Sequence, residues 1–254
     1  MVCDGVVMPA FSLSHSLDGG GVLALAPPSD NLYLRLFAHS SNFALSSGKI
    51  TTWQGSGSSG KSAEQATAAY QPSPGTGING KTTVVFGGSQ YMTVSNVALG
   101  VFDIYIVFKI SITPKCVWTH GTDTWSFTGS QLFSGQSASS VINRGAAALS
   151  ARQSYNADWV PATGTACMVR TGHDGTHAGH VFEKNGATVQ QTSAYSAQDP
   201  GLAVVSKQFV IGASGIYTSQ MTGEIGEILI YDAAPDSARA NAVLKYCQSY
   251  WGTP

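Results

Sequence analysis

The chain is short of charge. Only 11% of its 254 residues are Asp, Glu, Lys or Arg, and 13 basic residues stand against 14 acidic ones. A soluble domain ordinarily carries about a quarter charged residues. With no excess of Lys and Arg to neutralise a phosphate backbone, a nucleic-acid partner is excluded. Long apolar runs are also missing. The best, Val101 to Ile110, contains Asp103, and it falls well short of the about 20 residues a membrane-spanning helix needs, so no membrane role is predicted. Cys3, Cys116, Cys167 and Cys247 are scattered without a C-x-x-C pair. That spacing defines no disulfide framework and leaves buried free thiols as the expectation. Ala24-Leu25-Ala26 has the A-x-A form of a cleavage site. The segment before it lacks a basic start, and Asp18 with Gly19 to Gly21 interrupts its apolar stretch, so it does not read as a secretory leader.

What is present points to strands. Apolar residues make up 43% of the chain, enough for a substantial core, and the 29 glycines suit many tight turns. Residues 1–28 read as an arm ending at Pro27-Pro28, either an extra edge strand or an anchor to a partner subunit; residues 29–254 form one domain. Leu32, Leu34 and Leu36 alternate in the run Asn31 to Phe37, and Lys49 to Trp53 is a second strand. Gly80 to Val94 reads as a hairpin turning at Gly87-Gly88. Phe102, Ile104, Ile106, Phe108 and Ile110 alternate with Asp103, Tyr105, Val107 and Lys109, which predicts a central strand with one face in the core. Short strands are expected near 115–119, 130–135 and 140–143, and again over Cys167 to Thr171 and Gln208 to Ala213. Asn185-Gly186 predicts a type I′ hairpin turn between Val181 to Lys184 and Ala187 to Gln190.

The stretch from Gly223 to Gly252 organises the rest. Glu224 to Tyr231 is rich in Ile, Leu and Tyr and reads as a strand. Pro235 and Asp236 then suit a helix start. Val243, Tyr246, Cys247 and Tyr250 recur at helical spacing, and Gly252 is placed to end the helix. The strand, with Gly223, Ile225, Glu227, Ile228, Ile230, Tyr231 and Asp232, followed by one helix, resembles the closing segment of concanavalin A-like domains of the laminin-G type. GINGKTTVVFGGSQYMTV and the Trp53-to-Pro72 stretch are similar to the same family. The resemblance covers about residues 31–252, with a poor middle. It implies an all-β, two-sheet antiparallel jelly-roll sandwich with one short C-terminal helix. Many relatives carry an Asp two residues after the strand-ending Trp and an Asn in the Ser-Gly turn. Here those places hold Gly55 and Ser58, so calcium, the one cofactor the family implies, loses two oxygen ligands or caps in that loop.

Candidate sites are few. Trp118, Trp125, Tyr155 and Trp159 fall in polar, Gly-rich segments, where exposed aromatics stack on sugars or anchor interfaces. His173, His177 and His180, with Asp174, have a spacing that would suit a metal, in a Gly-rich loop that does not fix the imidazoles as a helix would. Glu224 and Glu227 are paired carboxylates, but three apart on a regular strand they point to opposite faces, and no E-x-D-x-E strand of a glucanase is present. Gly55 to Ser62 matches a phosphate loop formally, in an all-β context without the helix that loop requires.

The expectation is therefore a non-catalytic, surface-exposed binding or adhesion module, contacting glycans or proteins. It folds in a host cytoplasm and acts on a phage virion surface or outside cells. It is anchored to other virion subunits by the arm, as a homo-oligomer or on a larger particle. A purely structural capsid or tail decoration protein is the alternative, and a glycoside hydrolase the third.

Overall fold

The computed structural model describes residues 25–111, 116–121, 130–133, 141–142, 153–155, 161–176, 178–189, 191–194, 204–214 and 220–254, of which 130–133, 141–142, 153–155, 191–194 and 205 are described in backbone only. Most of the predicted arm lies outside this set. The strands are β1 (Leu32–Phe37), β2 (Phe43–Ser46), β3 (Lys49–Trp53), β4 (Gly55–Ser56), β5 (Ala63–Glu64), β6 (Ser73–Ile78), β7 (Lys81–Gly87), β8 (Met92–Leu99), β9 (Phe102–Ile110) and β10 (Cys116–His120). They continue as β11 (Ser130–Phe133), β12 (Val141–Ile142), β13 (Gln153–Tyr155), β14 (Ala166–His173), β15 (Val181–Lys184), β16 (Ala187–Thr188), β17 (Gln191–Ala194), β18 (Val205–Ile211) and β19 (Thr222–Tyr231). One α-helix among the described residues, α1 (Ser237–Trp251), closes the chain.

The fold is the predicted all-β, two-sheet antiparallel jelly-roll sandwich with one C-terminal helix. The larger sheet runs β16-β15-β14-β9-β19-β1-β4, with β7 also on β19 and β6 on β7. The second runs β11-β10-β18-β8-β5-β3-β2, and β12-β13-β17 form a small third sheet. β9 sits at the centre because both flanks pair along its length, β14 from Lys109 to Phe102 and β19 from Ile110 to Asp103. Its Phe102, Ile104, Ile106, Phe108 and Ile110 face the second sheet, from which Met92, Val94, Trp118, Phe209 and Ile211 complete the core, all of them buried.

Several local predictions hold in detail. Asn185 and Gly186 both take positive φ, 51° and 79°, as a type I′ turn requires. The Asp236 side chain accepts from the Arg239 N–H to cap α1, and Gly252 closes it at φ 65°.

Three expectations are corrected. β7 and β8 are not a hairpin: β7 pairs with β19 and β6, while β8 pairs with β18 and β5. The Gly87-Gly88 turn, with Gly88 at φ 94°, carries the chain from one sheet to the other. Second, both faces of β9 are covered. Asp103, Tyr105 and Val107, on the face away from the core, are as buried as their neighbours, because α1 lies over that face. Third, Glu224 and Glu227 share a face. The pairing with β9 runs Glu224↔Lys109, Ile225↔Phe108, then Glu227↔Val107, and Lys109 and Val107 point the same way. Gly226 is the extra residue of a β-bulge. Its carbonyl accepts from Ala38 N at 2.9 Å, and the Trp251 ring of α1 lies over it.

A Cβ added to Gly226 would meet Trp251 ring carbons at 2.7 and 2.9 Å. Gly226→Ala is therefore expected to lower stability by about 1–3 kcal/mol, read as a lower urea midpoint with an unchanged slope.

Candidate functional site

The outer face of the larger sheet carries charged side chains that α1 seals from water. Asp103 is the first centre. Arg170 donates to it from Nε to Oδ1 at 2.8 Å and from Nη2 to Oδ2 at 3.2 Å. Arg239 of α1 donates to Oδ2 at 3.1 Å and the Tyr105 hydroxyl to Oδ2 at 2.8 Å. Arg170 also reaches Glu183 at 3.1 Å and the Asp236 carbonyl at the start of α1, also 3.1 Å away. Glu227, on the bulge, is the second centre. It accepts from Arg35 Nε at 2.6 Å, and from the Tyr246 hydroxyl and Trp251 Nε1 of α1, each at 2.7 Å. Glu224 pairs with Lys109 at 3.0 Å and accepts from Thr83 at 2.8 Å.

Burial drives the titration of this face. It pushes the Tyr105, Tyr231 and Tyr246 hydroxyls far above the ordinary tyrosine range, with Asp103 or Glu227 adding to the push. Burial alone would lower Arg170, but the hydrogen bonds and charge of Asp103 outweigh it and hold the guanidinium charged. Each carboxylate is already committed to cations and hydroxyls. Glu227 thus ties α1 to the sheet, while Glu224 on the same face is engaged by Lys109 and Thr83.

Among the predicted aromatics, Trp118 is corrected. β10 pairs Trp118 with Ile211, which places it on the inner face. It is fully buried and its ring stacks on Phe209 at 5.1 Å, so no sugar reaches it. The strand expected near 115–119 is present as β10, and its register turns Trp118 into the core. Tyr155 lies in β13, paired with Gln191, and its side chain is outside the described set. Trp125 and Trp159 lie outside the described residues altogether.

Of the predicted histidine set, the rings of His173 and His180 come together while Asp174 is engaged elsewhere. His173 ends β14 facing inward, fully buried, with its ring edge-on to Phe102 at 4.8 Å. Its Nδ1 accepts from Gly175 N. The His180 ring lies 5.6 Å from that of His173. Asp174 turns to Thr176, whose N–H and hydroxyl it accepts at 2.8 and 2.7 Å, and those bonds hold its carboxyl below the usual range. His177 is outside the described residues. Among the described residues no three His, Cys, Asp or Glu converge as a metal would require. The phosphate-loop-like stretch is the edge strand β4 and a loop leading into β5, with no helix behind it. Cys116, Cys167 and Cys247 are buried, and burial pushes the Cys167 thiol up to about 12.

One surface feature has little signal in the sequence. Tyr70 is 41% exposed, the sole aromatic among the exposed large hydrophobic residues described. The Tyr91 ring lies beside it at 5.3 Å, tilted by 33°. What the sequence offers is one aromatic before Gln71-Pro72 at the end of a polar loop.

No protein-family model matches the chain, and no curated protein does. Solved structures do match. Domain 4 of AbnA, a GH43 extracellular arabinanase from Geobacillus stearothermophilus, in complex with arabinotriose, is 14% identical at a TM-score of 0.51, covering 71% of this chain and 82% of that one. A Trypanosoma rangeli sialidase is 11% identical at a TM-score of 0.55 over 96% of this chain, which spans only 37% of the sialidase. A mutant GH54 α-L-arabinofuranosidase is 14% identical at 0.53, covering 80% of this chain and 51% of that one. At such identities the likeness is one of fold: a β-sandwich of the kind these proteins contain.

The expectation that the chain is not an enzyme is corrected by these neighbours, most of which are glycoside hydrolases by name. It rested on the missing E-x-D-x-E strand. Spacing along one strand does not see carboxylates brought together from separate loops, so a missing strand motif does not exclude catalysis.

Removing the Asp103 carboxylate leaves Arg170 buried without its main partner. Asp103→Ala is expected to cost about 3–5 kcal/mol. Guanidinium unfolding checks this, with Asp103→Asn, which keeps an acceptor, losing less.

Proposed function

We propose that the chain is a glycan-binding β-sandwich module. The observation that carries this reading is the match to domain 4 of the arabinanase in complex with arabinotriose, of which this chain covers 82%. The composition supports it. A chain with only 11% charged residues and abundant Gly, Ser and Thr is suited to bind through hydroxyls, backbone and aromatic faces, the groups that meet a sugar. In the finer form of the proposal the domain is of the concanavalin A-like, laminin-G type. What supports it is the sequence resemblance of the segment that forms β19 and α1.

The test is a glycan array probed with the purified chain and followed by calorimetry on the best ligands. Saturable binding to at least one oligosaccharide class is expected. Absence of binding across neutral and sialylated glycans alike would end the reading.

A second reading is a decoration protein on a phage particle, held to neighbouring subunits through residues 1–28. One contact favours an arm that leaves from a fixed point: the Tyr231 hydroxyl of the central β19 donates to the Pro28 carbonyl at 2.9 Å, and Pro27 is buried. If the arm is the anchor, a chain lacking residues 1–28 folds normally but fails to join assembled particles. Normal incorporation of that chain would rule the anchor out.

A further inference from the structure

We infer that Tyr70 and Tyr91, together with the adjoining outer face of the second sheet, form a stacking subsite for a neutral sugar ring. The inference rests on the glycan-binding reading and adds to it a place and a ligand class.

Tyr70 keeps 41% of its surface exposed, so an amphipathic aromatic side chain stands open to a ligand. The segment that presents it is not a loose loop. Tyr70 ends a short 3-10 turn, Ala68–Tyr70, flanked by two glutamines that are nearly fully buried, Gln65 at 7% and Gln71 at 5% exposure. Both spend their side-chain amides on holding the turn. Gln65 Oε1 accepts from Thr67 N at 3.0 Å, and its Nε2 donates to the Tyr91 carbonyl at 3.1 Å. Gln71 Nε2 donates to the Gln65 carbonyl at 2.9 Å. Tyr91 N donates to the Tyr70 carbonyl at 3.1 Å, which ties the two tyrosines together through their backbones. Buried amides used in this way fix an exposed aromatic before any ligand arrives. Pre-organisation of that sort reduces the entropy lost on binding.

The two rings, 5.3 Å apart and tilted by 33°, make a shallow angled surface instead of one flat plate. Such a surface suits the C–H face of a sugar ring. Polar groups for its hydroxyls lie next along the sheet. Tyr91, the residue before β8, and Thr93 within it flank the core residue Met92, and Val94 after them is also core, so Thr93 points to the outer side of the strand. Register places Glu64 directly opposite Thr93 and Thr52 opposite Glu64. Glu64 is exposed, so its carboxylate can accept from sugar hydroxyls. The same carboxylate repels sialic and uronic acids, and this selects a neutral ring.

The experiment titrates the full chain with arabinotriose, cellotriose and 3′-sialyllactose, comparing wild type with Tyr70→Ala, Tyr70→Phe and Tyr91→Ala. Wild type is expected to bind a neutral trisaccharide in preference to sialyllactose. Tyr70→Ala and Tyr91→Ala should raise its Kd about tenfold or more, Tyr70→Phe should retain most of the affinity, and near-ultraviolet circular dichroism should show all variants folded. Neutral-sugar binding that survives Tyr70→Ala unchanged overturns the subsite and leaves the glycan-binding reading standing. Binding of none of the three by the wild type overturns the subsite, and the array then decides the broader reading. A Tyr70→Ala chain that binds sugar normally but sediments as a smaller species makes the patch a contact between copies, which also overturns it.

Discussion

Buried charge on the outer face of the larger sheet is the constraint from which the rest of the structure follows. Asp103 is fully buried, Glu227 is 1% exposed and Arg170 4%. Taking such groups out of water costs several kcal/mol each unless they are paired and hydrogen-bonded. The pairing is supplied from elements distant in sequence: Arg35 from β1, Arg170 from β14, and Arg239, Tyr246 and Trp251 from α1. The helix is therefore required as a lid. Without it, half of the ligands of Asp103 and Glu227 would be gone and the central strands would show a polar but incompletely satisfied face. The bulge at Gly226 belongs to the same device, because it turns Glu227 under the helix and leaves room for the Trp251 ring.

This arrangement has a functional consequence. The face covered by α1 is closed to ligands and its carboxylates are spent. On the glycan-binding proposal, a ligand would therefore meet the rim, the loops or the outer side of the second sheet. The Tyr70–Tyr91 pair lies beside that second sheet, Tyr70 in a turn fixed by buried glutamines and Tyr91 just before β8. A rigid scaffold presenting a small aromatic surface is a familiar division of labour between core and site.

Much of the fold was legible in the chain. Strict alternation over Phe102 to Ile110 gave the central strand, Asn185-Gly186 its turn, and Pro235, Asp236 and Gly252 the bounds of the helix. What could not be read was pairing. Alternation states that Lys81 to Phe86 and Met92 to Val94 are strands, and a Gly-Gly turn between them suggests a hairpin, yet the partners lie in different sheets. Likewise, a three-residue spacing places Glu224 and Glu227 on opposite faces only while the strand is regular. One inserted glycine reverses the result. The site was least legible. Trp118 sits among Gly, Ser and Thr but is held in the core by its register. Tyr70 becomes notable only because side-chain amides from Gln65 and Gln71, unremarkable in sequence, lock its turn.

Native-state hydrogen exchange, resolved by residue, tests the central claim most directly. If α1 is the lid that the buried charges require, its interior amides, at Val243 to Cys247, exchange only through global unfolding, with the same free energy and denaturant dependence as those of Ile104 to Phe108. If the helix amides exchange through a separate, far cheaper opening while the β9 amides stay protected, the helix is an appendage and the account is wrong.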